Sequence, residues 1–283
     1  MAWIRFLALV SALVVLVAQL GAFHPIGDTM AIAAPVAAVV GLFFGLSLGR
    51  GLWIPVLAIC GSWVVFWGID RVRDTGQGGD FVLYQKNIWA PNVHYEDLVA
   101  DILASGADFV TLQEVADNRE QIYDLLGSEL GFKHHCRNSD WDGVGVVSRY
   151  PIVPDSGYCS PDRGLALAAF QTPRGVVWVG SIHLWWPFPF EQSKFAEPVL
   201  RTLEGLNGPV ILGGDFNMFP GTRLTRLVAQ SARVQELRPA FATMSLAEIP
   251  LPIDHVLAAG GRVEKRPLIG SDHHGLLAIV SIR

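Results

Sequence analysis

Pro209-Val-Ile-Leu-Gly-Gly-Asp-Phe-Asn-Met-Phe-Pro220 is the stretch from which the rest of this chain can be read. After the proline, Val210, Ile211 and Leu212 form a short continuous apolar run, the pattern of a strand covered on both faces. Gly213 and Gly214 then allow a close backbone approach, and Asp215 and Asn217 project to the same side of extended chain. A carboxylate and an amide together at the end of a buried strand suit a hard cation and a phosphate oxygen. Turn chemistry alone also uses Gly, Asp and Asn, so this segment by itself leaves both readings open.

Working outward, further apolar runs predict strands over 81–88, 108–113, 143–148, 165–171, 176–184, 253–258 and 276–282. Helical spacing predicts helices over 95–104, 118–130, 191–206 and 222–231. Strands in clusters, with helices between only some of them, point to an α+β domain of two packed sheets flanked by helices. The strand ends share a feature. Asn87 closes the first strand, Glu114 follows Val-Thr-Leu-Gln113, His183 follows Gly-Ser-Ile182, Asp254 follows Ile253, and Asp272 and His273 precede the last strand. One such residue is usually just where a strand meets water. Six such sets, in a chain with only 17% charged residues, suit phosphoester hydrolysis. Carboxylates and amides suit Mg²⁺, Asn and His supply donors to phosphoryl oxygens, and an Asp–His pair supplies a base near neutrality.

At these residues the chain resembles the endonuclease/exonuclease/phosphatase superfamily of DNase I-like nucleases, neutral sphingomyelinases and inositol-polyphosphate phosphatases. The resemblance spans residues 81–283 and lies in Asn87 of YQKNIW, Glu114 of LQEV, Gly143 to Ile152 as GxxxxSRxPI, His183 of SIHL, Gly214 to Asn217 as GDFN, Asp254 of PIDHV, and Ser271 to His273 as SDH. It implies a four-layer α/β/β/α sandwich and a Mg²⁺ cofactor, with Mn²⁺ as the alternative. Glu114 would hold the metal with Asn87 and Asp272. Asp254 would orient His273, Asp215 and Asn217 would position water and phosphoryl oxygens, and His183 would donate to phosphate. His273 is the expected base, with Asp215 the alternative. The motif reads SDHHG where SDHxP is frequent, and no equivalent of the apurinic nucleases' active-site Tyr is evident.

The chain is 51% apolar, and the excess sits at its start. Residues 6–23, 30–49 and 51–69 carry no charge, each run about the length that crosses a bilayer as a helix. Trp3, Trp53, Trp63 and Trp67 lie towards the ends of these runs, where indoles favour the interface. A signal peptide would explain only the first run. The expected organisation is therefore an anchor of three transmembrane helices over 1–73, a polar linker over 74–80 and a catalytic domain over 81–283. Arg5 and Arg50 place the N-terminus in the cytoplasm and the domain on the extracytoplasmic side, although Arg71 and Arg73 oppose this. Cys136 and Cys159 could pair there.

Of the chain's 21 Lys and Arg and 26 Asp and Glu, four of each precede residue 81, so the domain keeps the net charge of −5. That counts against a nucleic-acid clamp. The expected partners are the bilayer and a phosphoester (lipid, nucleotide or nucleic acid); no protein partner is indicated. The expected function is a membrane-anchored phosphoesterase, with a nuclease or a catalytically silent membrane module as alternatives. Trp185-Trp-Pro-Phe-Pro-Phe190 would form an apolar lip on the site or a core anchor beneath a loop, and Arg163 would stand near substrate or as a solvated charge. His134, His135 and His255 read as structural; a zinc site at His134-His135-Cys136 lacks a second ligand pair.

Overall fold

The computed structural model describes residues 1–49, 51–116, 120–127, 129–139, 142–161, 164–187 and 191–283. The expectations resting on Arg50, Asn118, Arg163 and residues 188–190 lie outside the described residues.

Three helices come first: α1 (Ala2–Gln19), α2 (Ile26–Gly45) and α3 (Trp53–Arg71). Each is long and apolar enough to cross a membrane. Small residues make their close packing possible: Ala8, Ala12, Ala34 and Ala38 are buried between them. Large apolar side chains such as Phe43, Phe66 and Ile69 face outward.

The domain then runs β1 (Phe81–Asn87), α4 (Tyr95–Ala104), β2 (Phe109–Gln113), α5 (Gln121–Leu126), β3 (Phe132–Ser139), β4 (Asp142–Ser148), β5 (Tyr158–Cys159), β6 (Leu165–Thr172) and β7 (Gly175–His183). It continues with α6 (Gln192–Glu204), β8 (Val210–Asp215), α7 (Arg223–Ser231), β9 (Gln235–Glu236), β10 (Met244–Leu246), β11 (Ile249–Leu251), β12 (Asp254–Ala258), β13 (Gly260–Lys265) and β14 (Leu276–Ser281). The predicted strands and helices are all present, although the helix expected over 118–130 is described only as Gln121–Leu126.

Two six-stranded sheets form, in the orders β13-β14-β1-β2-β4-β3 and β5-β6-β7-β8-β12-β9. Their inner faces meet in one core that includes Leu83, Phe109, Phe170, Ile211, Val256 and Val280. Helices α4 and α5 cover the outside of the first sheet through Leu98, Ile102 and Ile122. Helices α6 and α7 cover the second through Val199, Leu203, Leu224 and Val228. The domain is thus the α/β/β/α sandwich expected.

Both sheets centre on a parallel pair, β1 with β2 and β7 with β8. Parallel neighbours end at the same edge, so the residues that close these strands gather there. Asn87 is registered with Gln113, the residue before Glu114, and His183 with Asp215. Antiparallel β12 begins at that edge and sets Asp254 opposite Asp215.

The sandwich is closed along both sides. A disulfide joins Cys136 of β3 to Cys159 of β5, edge strands of different sheets, with Cα atoms 5.6 Å apart. Along the opposite side, Thr75 of the linker is buried. Its Oγ1 donates to the Gly261 carbonyl and accepts the Arg238 N–H at 3.0 Å, and its carbonyl accepts the Gly261 N–H. The three N-terminal helices are fastened to the same side. Buried Arg238 pairs with Asp70 at the end of α3, and Asp28 of α2 accepts the backbone N–H of Arg223 at the start of α7.

Candidate active site

The geometry begins with Asp215, which closes a strand buried along its whole length. The two glycines before it are a steric requirement. A Cβ on Gly213 would lie 2.3 Å from Thr111 Oγ1, and one on Gly214 would lie 2.1 Å from the Ile182 carbonyl. Past Asp215, Asn217 turns at φ +48°, an uncommon conformation that Asn tolerates better than most residues. Its backbone N–H caps Asp215 Oδ1 at 2.9 Å, and its Nδ2 donates to the Leu184 carbonyl. The GDFN turn is thereby tied to the strand that carries His183.

Around Asp215 Oδ2 stand three groups. Asn87 Nδ2 donates to it at 3.0 Å, His183 Nε2 lies 3.8 Å away and His273 Nε2 3.7 Å away. Asn87 Nδ2 also reaches Glu114 Oε1 at 2.9 Å, while its Oδ1 accepts the Trp89 N–H. The Asn87 amide therefore links the two carboxylates. Glu114 sits at φ +56°, just past β2, which turns its side chain toward the same point.

His273 is held from both sides. Its Nδ1 meets Asp254 Oδ2 at 2.7 Å. The loop bearing it is pinned by Lys86, which is fully buried and donates from Nζ to the carbonyls of Pro267, Leu268 and His273. Ser271 adds Oγ–H to the Asn87 carbonyl. Burial opposes charge on the His273 ring, but Asp254 and Asp215 outweigh it and lift its pKa to about 10. Burial also opposes charge on His183, yet the Asp142 carboxylate 3.2 Å from Nδ1 and then Asp215 lift it to about 9. Asp215 is pushed up to about 6, first by burial, with neighbouring Asp254 adding to it.

The sequence-predicted residues Asn87, Glu114, His183, Asp215, Asn217, Asp254 and His273 thus meet at one sheet edge. Asp272, more exposed, lies beside His273 and within electrostatic reach of Glu114 and Asp254; burial first, and then those two carboxylates, raise its carboxyl against the lowering effect of His273. Two sets of ligand atoms lie within 4.8 Å of one another: Glu114–His183–Asp215 and Asp215–Asp254–His273. Partly exposed Glu114 next to buried Asp215 makes a hard-oxygen donor set open on one side. That arrangement fits a small divalent cation that keeps several waters.

The profile of the Endonuclease/Exonuclease/phosphatase family matches residues 76–273. The chain belongs to this family. Structures similar to this endonuclease/exonuclease/phosphatase domain include a beta toxin from Staphylococcus aureus with bound magnesium ions (16% identity, TM-score 0.55, covering 71% of this chain and 100% of that one). Sphingomyelinase C from Streptomyces griseocarneus is another (17% identity, TM-score 0.53, 71% and 99%). A third is the 3′ phosphatase NExo from Neisseria bound to a product DNA hairpin (16% identity, TM-score 0.54, 71% and 99%). At these identities the likeness is one of fold. No curated protein sequence matches the chain.

The endonuclease/exonuclease/phosphatase domain also carries supporting residues to which the motifs give no role. Gln85 Nε2 donates to Asp254 Oδ1 at 3.0 Å and to Gln113 Oε1 at 2.8 Å; Gln113 passes the chain on to Ser181 Oγ, which donates to the Leu112 carbonyl. Asp142, which steers His183, likewise lies outside them. Polar residues at Gln85, Gln113 and Ser181, inside otherwise apolar strands, were the available signal. His255 bridges Glu236 and the Met218 carbonyl. His134 lies beside Cys136 and Cys159, whose sulfurs are bonded to each other. Trp186 packs on Phe219, Leu251 and Ile253, so this part of the expected lip is a core anchor, whereas Trp185 is 43% exposed and stacks near Phe195.

Proposed function

We propose that the chain is a membrane-anchored, divalent-metal-dependent phosphoesterase that hydrolyses a phosphodiester or phosphomonoester in a single in-line displacement by water. The observation that carries this reading is the meeting of Asn87, Glu114, His183, Asp215, Asp254 and His273, drawn from both sheets, at one edge of the sandwich.

Glu114 would hold Mg²⁺ or Mn²⁺, with Asn87 beside it and Asp272 at the rim; the bound ion would polarise a phosphoryl oxygen and stabilise the leaving alkoxide. Protein groups supply the rest. His183, held protonated by Asp142, donates to a non-bridging oxygen. Asp254 holds the His273 ring at Nδ1 and keeps Nε2 turned toward Asp215. The attacking water loses its proton to ionised Asp215, whose titration is linked to that of the protonated His273 ring beside it. Asn217 keeps Asp215 aimed.

Two features support a substrate presented at the membrane over nucleic acid. The domain is acidic, which disfavours polyanion binding. Pro25, in the turn between α1 and α2, and Pro187, four residues past His183, line one shallow groove, which supports a site that opens near an end of the three helices. The test is turnover of bis-p-nitrophenyl phosphate by the full chain in detergent, followed by sphingomyelin, phosphoinositides, single- and double-stranded DNA, and RNA. Metal-dependent turnover abolished by His273→Ala is expected. Inactivity on every phosphoester would favour a silent binding module. Activity confined to nucleic acid and falling steeply with salt would favour a nuclease.

A further inference from the structure

A second cavity, of about 540 Å³, lies where the membrane helices meet the domain. Trp63, Phe66 and Trp67 of α3 and Asp28 of α2 form one wall, and Arg223 and Arg226 of α7 the other. No side chain of the candidate active site lines it.

Its charges are unequally matched. Arg73 and Arg238, also in the lining, are engaged with Asp70 and Glu236. Arg223 and Arg226, neighbours on one helical face, have no ion-pair partner among the described residues. Arg223 Nη1 reaches only Ser193 Oγ at 3.5 Å, and Arg226 Nη1 donates to the Gly221 carbonyl. The remaining acid, Asp28, is 2% exposed, accepts the Arg223 backbone N–H and lies within electrostatic reach of both guanidiniums, so one carboxylate stands against two cations; its Oδ2 has no hydrogen-bond partner among the described residues. The surplus is positive, and planar guanidiniums suit phosphate.

The setting narrows the anion. Two indoles in the wall mark headgroup depth. Phe66 and Ile69, 73% and 63% exposed, continue along the outer face of α3 as a surface for acyl chain. We propose that this cavity binds the headgroup of an anionic phospholipid, with Arg223 and Arg226 on its phosphate and its chains along α3. Zwitterionic lipid fits less well, because Asp70 and Glu236 are already paired and the remaining acid, Asp28, is 2% exposed and offers an ammonium little access. The proposal rests on the membrane-anchored reading and not on catalysis.

The test uses the full chain in a neutral detergent, titrated with phosphatidylglycerol, phosphatidylcholine or inorganic phosphate and followed by thermal unfolding. Phosphatidylglycerol is expected to act at about tenfold lower concentration than phosphatidylcholine or less. That preference should collapse in Arg223→Gln/Arg226→Gln and persist in Arg201→Gln, an exposed α6 control. Should the double variant not fold, quenching of indole fluorescence by chain-brominated phosphatidylglycerol, competed by the unlabelled lipid and not by phosphatidylcholine, reads the same preference in the unaltered chain. Equal action of both lipids, an unchanged preference in a folded double variant, or an equal effect of phosphate alone would overturn the assignment. A chain that stays in solution without detergent would overturn the membrane reading as well.

Discussion

Asp254 Oδ2 lies 2.7 Å from His273 Nδ1, while His273 Nε2 faces Asp215 across 3.7 Å. One imidazole is thus shared between two buried carboxylates from adjacent strands, and its charge is favoured from both sides.

A pH profile follows. In the proposed mechanism the productive state has Asp215 ionised and His273 protonated. Activity should rise as pH climbs through the Asp215 pKa, which burial raises to about 6 without the ion and bound Mg²⁺ would lower, and fall as pH climbs through that of His273, lifted to about 10 against its burial by Asp254 and Asp215. Asp254→Asn removes the foremost lifting charge, so the basic limb of kcat/KM should move to lower pH by about one unit or more, with a smaller downward move of the acid limb. Profiles at one fixed Mg²⁺ concentration check this. A basic limb unmoved by Asp254→Asn would contradict it.

Gln85 donates to both Asp254 and Gln113 in a fully buried position. Gln85→Met should leave those acceptors short of a donor, costing about 1–3 kcal/mol of stability. It should also lower kcat more than it changes KM, because it disturbs the support of the dyad and not the binding surface. Denaturant unfolding and steady-state kinetics on the same preparations would show both.

The glycines of the GDFN strand should differ. An alanine at Gly214 would drive its Cβ into the Ile182 backbone, whereas one at Gly213 meets a threonine hydroxyl that can turn aside. Gly214→Ala should destabilise by about 3 kcal/mol and Gly213→Ala by about 1, as read from unfolding midpoints.

Away from the active site, Glu236 is buried with His255 and Arg238. Burial pushes its carboxyl up, but those two cations outweigh it and hold the pKa near 2, below the ordinary 4.5. A depressed carboxyl stabilises fully above its unfolded value and loses that contribution as pH falls through the folded one. The chain should therefore weaken between about pH 4.5 and 2, and Glu236→Gln should flatten that window in an acid titration followed by tryptophan fluorescence.

The sequence revealed the central strands and the site far better than the edges. Strands β2 and β8 are covered on both faces, so Val110–Leu112 and Val210–Leu212 read as plain apolar runs. Strand β3, Phe-Lys-His-His-Cys-Arg-Asn-Ser139, and β13, Gly-Gly-Arg-Val-Glu-Lys265, carry the polar composition typical of sheet edges and gave no periodic signal. The residues of the site stood out because each ends a strand within a recognisable motif. Asp142 and Gln85 act through hydrogen bonds to residues about forty and 169 positions away, a relationship that pairing of the strands creates and local pattern does not contain. The linker was expected as a polar spacer from its glycines; Thr75 is instead built into the seam between the sheets, because Gly261 and Arg238 offer it partners from each.

That fixed Thr75 deprives the tether of slack. An enzyme held this way would not sample bulk solution: its encounters would be lateral, governed by how densely substrate populates the same leaflet. Under the proposed function, rates in mixed micelles should follow substrate mole fraction and decline on surface dilution with inert detergent, even when the total amount in the tube is unchanged.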